Sequence, residues 1–215
     1  MAPFIANIKM RSVLSSAYWP NIHYFYYILR SDVVYIDLHE HFEKQSFRNR
    51  TRILTANGEL SLSIPVKKWE ANSTTGSIEI SYTEDWQKQH WRAILSAYKN
   101  SPYFDFLEDE IRSFYDQEYK FLHEYNAEQL KWILKAFRLK KEIIYTSEYF
   151  ENLNDDTIDL RQVIHPKKEV SPPELKTLLE TPYYQTFSTK FGFTPNLSVL
   201  DLIFNEGIKS YQFLI

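Results

Sequence analysis

Hydrophobic and polar positions along this chain follow two periods, and the change from one to the other falls near Thr83. Residues 12–17 are short, partly apolar and closed by Pro20, which predicts a first strand and a turn. Residues 22–30 place Ile22, Phe25, Tyr26 and Leu29 at helical spacing. Residues 32–38 (DVVYIDL) are β-branched and apolar, the pattern of a buried strand, so the start of the chain predicts a βαβ unit. Residues 50–56 and 59–66 flank Asn57-Gly58, which predicts a hairpin closed by a type I′ turn, with Pro65 marking an edge position or strand end. Residues 67–76 read as a polar loop, and residues 77–82 (SIEISY) alternate like another strand.

Beyond Thr83 the spacing is helical. Thr83 is expected to cap a helix that carries Trp86, His90, Ile94, Leu95 and Tyr98 on one face and stops at Ser101-Pro102. Residues 103–115 and 126–139 repeat the pattern, the second with Asn126 as its N-cap. Residues 142–145 predict a short strand. Residues 152–174 are polar, hold Asp155-Asp156, His165-Pro166 and Pro172-Pro173, and are expected to form a long loop. Residues 196–205 give a last helix, with Gly207 placed to cap it. Strands early and helices in the middle predict an α/β fold. The expectation is a single mixed domain over residues 12–215, with a central sheet, the Asn-Gly hairpin and flanking helices, after a disordered overhang at residues 1–11.

Composition narrows the chemistry. The 215 residues carry 25 Lys+Arg and 28 Asp+Glu, a formal charge of −3, which argues against wrapping nucleic acid or coating an anionic membrane. There are no cysteines, so disulfides, thiolate nucleophiles and sulfur-bound zinc are excluded. Only Gly58, Gly76, Gly192 and Gly207 occur, so neither a G-x-G-x-x-G fingerprint nor a P-loop can be written. No G-x-S-x-G supports a serine hydrolase. The opening MAPFIANIKMRS lacks a signal-peptide apolar run and no later segment would span a bilayer, so the expected location is the cytoplasm. The 16 Tyr, 15 Phe and 5 Trp read first as a tyrosine-rich core and otherwise as a stacking surface for sugars or bases.

Several polar groups are candidates for chemistry. Asp37, His39 and His41 form D-x-H-x-H at a strand end, where alternation puts all three on one face; the choice is between a metal ligand set and a solvated strand end. The segment KQSFRNR holds Lys44, Gln45, Arg48, Asn49 and Arg50. Its guanidiniums are suited to grip phosphate or carboxylate, and Asn49 to read a hydroxyl or carbonyl, unless the run is only a solvated face. His90, on the apolar stripe of its helix, is the best-placed general acid or base; the alternative is a hydrogen-bonded core histidine. His23 is a weaker case, and His123 and His165 read as surface residues. Asp201 and Glu206 near Asn205 are either capping and surface charge or a polar rim over a pocket.

Several strings in order resemble one family. SSAYWPNIHYF, the acidic end of the second strand at Asp37, KQSFRNRTRI followed by LSIPV, WQKQHWRAILSAYKNSPYF and YYQTF…GFTPNLSVLDLIFNEG make the chain similar to the WbqC-like proteins of bacteria, particularly a branch common in Bacteroidetes. The likeness runs from about Ser12 to Gly207. It implies a part in O-antigen-like surface polysaccharide biosynthesis or sugar modification, and it draws attention to Tyr18, Asp37, Lys44, Gln45, Arg48, Asn49, Arg50, His90, Tyr98, Gln185, Asp201, Asn205 and Glu206. His39 and His41 fall outside the family motif, so no metal is assigned, and no motif names a cofactor. The chain departs from many relatives at Ser15-Ser16, where they carry Gln-Pro, and at His23, where they carry glycine.

Two functions follow as expectations. In the first, the protein transfers a group onto a sugar from an anionic activated donor. Arg48 and Arg50 hold the anion, His90 oriented by Asp37 or Glu206 removes a proton, and Tyr18, Lys44, Gln45, Asn49, Tyr98, Gln185, Asp201, Asn205 and Glu206 bind substrate. The partner is then a small molecule, with no nucleic acid. In the second, the same arginines and aromatic rings clasp a glycan or a protein without catalysis. If Asp201 and Asn205 bond to the loop around Arg50, replacing either is expected to destabilise the fold.

Overall fold

In a computed structural model that describes residues 10–151, 155–170 and 172–214, the chain opens with the βαβ unit that its apolar runs predict. Strand β1 (Arg11–Ser15) is followed by helix α1 (Ile22–Arg30), and strand β2 (Val33–Asp37) pairs with β1 in parallel. Asn21 caps α1 through its side chain, which accepts from the Tyr24 amide. Strand β5 (Glu142–Tyr145) lies outside β2, and β6 (Thr157–Asp159) lies on the other side of β1, giving the parallel order β5-β2-β1-β6. The chain builds outward from β1 through β2 to β5 and then returns to add β6 on the opposite flank. That reversal puts a topological switch point between β1 and β6, where open parallel sheets place their ligand sites at the strands' carboxyl ends. Residues 1–9, most of the expected overhang, lie outside the described residues, while Arg11 already pairs with Val33 and Thr157.

Strands β3 (Arg50–Thr55) and β4 (Gly58–Ser63) form the antiparallel hairpin. Its turn differs from expectation. Ala56 and Asn57 occupy the turn, Thr55 pairs with Gly58, and only Gly58 has a positive φ of 103°. A type I′ turn needs positive φ at both central residues, so Asn57-Gly58 does not form one. Thr55 supplies the reason: its hydroxyl accepts from the Asn57 amide at 3.2 Å and donates to the Gly58 carbonyl at 2.9 Å, fixing the turn one residue earlier.

Residues 77–82 are not a strand. A 3-10 turn, Thr75–Ser77, is followed by single bridges from Ile80 to Val66 and from Glu79 to Phe121. The alternation correctly buries Ile78 and Ile80, but Pro65 beside it has no N–H to extend a ladder. Helix α2 (Trp86–Tyr98) follows Asp85 rather than a Thr83 cap; the Thr83 hydroxyl bonds Ser81 instead. Helices α3 (Phe104–Ser113) and α4 (Leu122–Ala136) come next. The second starts four residues before Asn126, its entry fixed by Glu124 accepting from the Phe121 amide at 3.3 Å.

The polar stretch 152–174 is not one loop, because it contains β6 and the start of helix α5 (Pro173–Leu179). After the short α6 (Ser188–Phe191), α7 (Val199–Glu206) is buried from Val199 to Asn205 and packs against α1, α2, α3 and β3. A helix apolar on nearly every side belongs in the core. Ser198 caps its start and Gly207, at φ 78°, ends it. Trp19, fully buried and at φ 37°, is a bulky residue in a left-handed conformation immediately before Pro20. Bonds from four distant positions hold it. Its amide donates to Gln129 and its indole to Tyr115, while its carbonyl accepts from the Thr51 and Ser198 hydroxyls. Among the described residues no helix is long and apolar enough to cross a membrane.

Candidate functional site

The carboxyl ends of the parallel strands gather most of the buried charge. Asp37, the last residue of β2, is fully buried. It accepts from the His39 amide at 2.8 Å, the Thr146 hydroxyl at 3.0 Å, the Phe150 amide at 3.3 Å and the Arg161 guanidinium. Its lone pairs are therefore committed, and it does not reach His90. Arg161, just beyond β6, also forks onto Asp159, from Nε at 3.0 Å and Nη2 at 2.6 Å, and its guanidinium lies over the Tyr149 ring at 4.5 Å. Burial opposes ionisation of Asp159, but the Arg161 bonds win and hold its carboxyl below the usual range.

Beside this cluster Arg48 and Glu40 form a buried, two-pronged pair, Nε to Oε1 at 2.9 Å and Nη2 to Oε2 at 2.6 Å. Arg48 is thus neutralised from within instead of waiting for an anion. Burial pushes the Glu40 carboxyl upward, and Arg48 and the neighbouring Ser15 hydroxyl only partly offset it. Two cavities of about 10 Å³ each, room for one water, flank Ser16. One is lined by Tyr24, Asn126 and Tyr145, the other by Ser15, Arg48 and Leu160. Asn126 does not cap a helix here: from inside α4 its amide donates to the Ser16 hydroxyl at 2.9 Å and the Arg48 carbonyl at 2.8 Å.

His90 lies elsewhere, between α2 and the hairpin. Its Nδ1 is 2.9 Å from the Tyr18 hydroxyl, which is 3.0 Å from that of Tyr115, which accepts from the Trp19 indole at 2.9 Å. The Ser63 backbone carbonyl faces the imidazole as well. One consistent proton order runs through the chain. Trp19 donates to Tyr115, Tyr115 to Tyr18, Tyr18 to Nδ1, and Nε2–H to Ser63. Burial holds His90 down at about 4, against a smaller upward push from Ser63, so the ring is neutral near pH 7. Arg50 meets the same residue, its Nε donating to the Ser63 hydroxyl at 2.9 Å. The structure therefore brings Arg50, His90 and Tyr18 together and separates Arg48 and Asp37 from them.

The third cluster surrounds Asp201 in α7. Its Oδ2 accepts from the Tyr183 hydroxyl at 2.6 Å and the Gln185 amide at 2.9 Å, and the Tyr98 hydroxyl lies toward the same carboxyl. Burial nevertheless raises it to about 6. Asn205 donates to the Asp201 carbonyl at 2.8 Å and accepts from Thr186 at 3.0 Å, while Glu206 accepts from the Tyr184 amide at 2.7 Å. These residues tie α7 to residues 183–186, not to the loop around Arg50, and Glu206 does not orient His90.

The remaining predicted residues are scattered. Asn49 is buried and its amide donates to the Ile64 carbonyl at 3.0 Å. Lys44 is exposed with its ammonium 5.4 Å from the Trp69 ring centroid, and Gln45 is exposed at φ 62°. His39 and His41 are exposed, and among the described residues no three His, Asp or Glu side chains are grouped to hold a metal. His165 is less of a surface residue than expected, with an 8% exposed side chain against Glu43 at 3.2 Å. Sequence reasoning missed Glu40, Arg161, Tyr115 and Tyr183. Glu40 left a trace as the middle acid of the His39-Glu40-His41 run, and Tyr183 as the first residue of the YYQTF string.

Comparison with known proteins places these clusters in a wider context. The uncharacterized protein Rv1507c of Mycobacterium tuberculosis is 24% identical over 229 aligned positions, spanning 96% of this chain and 98% of that protein. No solved structure matches the chain. The profile of the WbqC-like protein family matches residues 15–213, a span that holds every residue of the three clusters. The chain belongs to the WbqC-like protein family.

Proposed function

We propose that this protein is an enzyme of surface-polysaccharide biosynthesis that transfers a group onto a sugar from an anionic activated donor, and that its chemistry lies at the switch point between β1 and β6. The observation that carries the reading is Glu40, a buried carboxyl raised by burial and held by Arg48 at the carboxyl ends of the strands. Perturbed acids in such places are where proton transfer is expected. Glu40 accepts the proton of the sugar's attacking hydroxyl or amine. The attacking atom forms its bond to the transferred group as the donor's anionic leaving group departs with the electron pair. Arg48 balances the charge at Glu40. Arg50 lies with His90 and Ser63, apart from the Glu40–Arg48 pair, and takes no part in this step. His90 is a positioning residue, since its neutral ring is spanned by Tyr18 and Ser63.

The test is a thermal-shift screen of the full chain against nucleotide sugars and acyl donors, followed by mass spectrometry of the sugar product. A donor at 100 times its Kd raises stability by about 2.7 kcal/mol. Glu40→Gln should keep that shift and lose turnover by at least about 100-fold. Full turnover in this variant, or no donor that stabilises the protein, overturns the reading. A binding module is the second reading, favoured by a groove of about 240 Å³ lined by Tyr35, Tyr145, Tyr149 and Phe150. It predicts ligand-induced stabilisation with no product from the wild-type chain.

A further inference from the structure

The same groove lies at the rim of the carboxyl end, and its construction points to one class of ligand. Tyr149 is 49% exposed, yet Arg161 backs one face of its ring, with the guanidinium 4.5 Å from the centroid. Arg161 is itself only 6% exposed and is held by Asp37 and Asp159. An exposed aromatic face is therefore mounted on a rigid, buried support. The adjoining residue is fixed too, since the Phe150 amide donates to Asp37 and the Phe150 ring packs on Tyr35 at 4.6 Å. Tyr145, 38% exposed, lines both this groove and one of the water-sized cavities beside Ser16.

The rim supplies the selectivity. Glu148 and Glu151 are exposed there, and among the described residues no Lys, Arg or His lines the groove. Arg161, the cation behind Tyr149, is shared by two carboxylates. An anionic ligand is repelled, whereas hydroxyl and ammonium donors find acceptors. A volume of about 240 Å³ lies below that of a drug-sized site and suits a single ring. The C–H face of a pyranose is apolar and stacks on an aromatic face, while its edge carries hydrogen-bond donors.

We infer that the groove over Tyr149 binds the acceptor of the proposed reaction, a neutral or amino-sugar ring, with the amino sugar preferred. The assignment as acceptor rests on the function proposed above; the binding does not. Calorimetric titration of the full chain with a glucosamine tetramer, an N-acetylglucosamine tetramer and a galacturonate tetramer tests it. The first should bind most tightly, the second less so, and the third at least tenfold more weakly than the first. Tyr149→Ala should weaken binding tenfold or more and Tyr149→Phe less than threefold, with circular dichroism confirming that both variants fold. Replacing Glu148 and Glu151 by Gln should erase the preference for the amine. Unchanged binding in Tyr149→Ala, a loss in Tyr149→Phe as large as in Tyr149→Ala, or galacturonate bound as tightly as glucosamine overturns the site. Saccharide binding lost in Tyr149→Ala while no donor yields product in the wild type supports the site and defeats the transferase reading. Turnover with an unchanged acceptor KM in Tyr149→Ala does the reverse.

Discussion

His90 and Asp201 are both buried and both titrate in the acidic range, but burial moves them in opposite directions, so they act on stability with opposite sign. His90 falls to about 4 from an ordinary 6.5. The unfolded chain takes up its proton first as pH drops, and stability is lost between about 6.5 and 4. Asp201 rises to about 6 from 3.8. The folded chain takes up that proton first, and stability is gained over about 6 to 4. A tenfold change in proton affinity is worth about 1.36 kcal/mol, so each effect comes to about 3 kcal/mol and the two nearly cancel in their shared window. Urea unfolding between pH 4 and 6 should therefore show His90→Gln becoming more stable on acidification and Asp201→Asn becoming less stable. Parallel slopes for both variants would contradict the assignments. At this scale the sequence was readable at His90, a polar residue interrupting an apolar stripe. The sequence misled at Asp201, which is buried and bonded to Tyr183 and Gln185 and is neither surface charge nor a pocket rim. It was silent on Arg161, whose partner Asp37 is 124 positions away and whose neighbours read as a solvated loop.

Helix α7 shows how an element carries the consequences of its ends. Gly207 sits at φ 78°, and a Cβ built there lies 2.7 Å from the Tyr103 ring. Gly207→Ala adds backbone strain to that overlap and should lower stability by about 1 kcal/mol, or more if Tyr103 cannot swing outward. A chemical melt measures this, and an unchanged midpoint would mean that the helix end has rearranged. The apolar run and the glycine after it made α7 legible in advance. The same holds for β1, α1 and β2, where a majority of buried residues imposes a recognisable apolar run. Strand β6 was not legible, because it has three residues at a sheet edge inside a polar stretch, too short for alternation to register. Residues 77–82 failed in the opposite way: their alternation is real, but no neighbouring segment offers a continuous ladder.

For the molecule as a whole, Asp37 fastens the chain that crosses the carboxyl end of the sheet, joining β2 to Thr146, Phe150 and Arg161 through one buried group. Asp37→Asn weakens that fastening while Asp159 remains to balance Arg161. The expected loss is therefore near or below the lower end of the ~3–5 kcal/mol for a broken buried pair. Hydrogen exchange should speed at Phe150 and His39 before it speeds in α7; uniform acceleration would mean that Asp37 serves the global fold alone. Trp19 carries the widest consequence. Its left-handed backbone is unfavourable for so large a residue, and the groups that hold it come from positions 51, 115, 129 and 198. No contiguous fragment that omits either end of that span contains every anchor, so limited proteolysis should release no piece that keeps its shape. Dissecting the protein into halves is expected to cost Trp19 its anchors, so fragments that separate positions 19 and 198 should lose the fold around it.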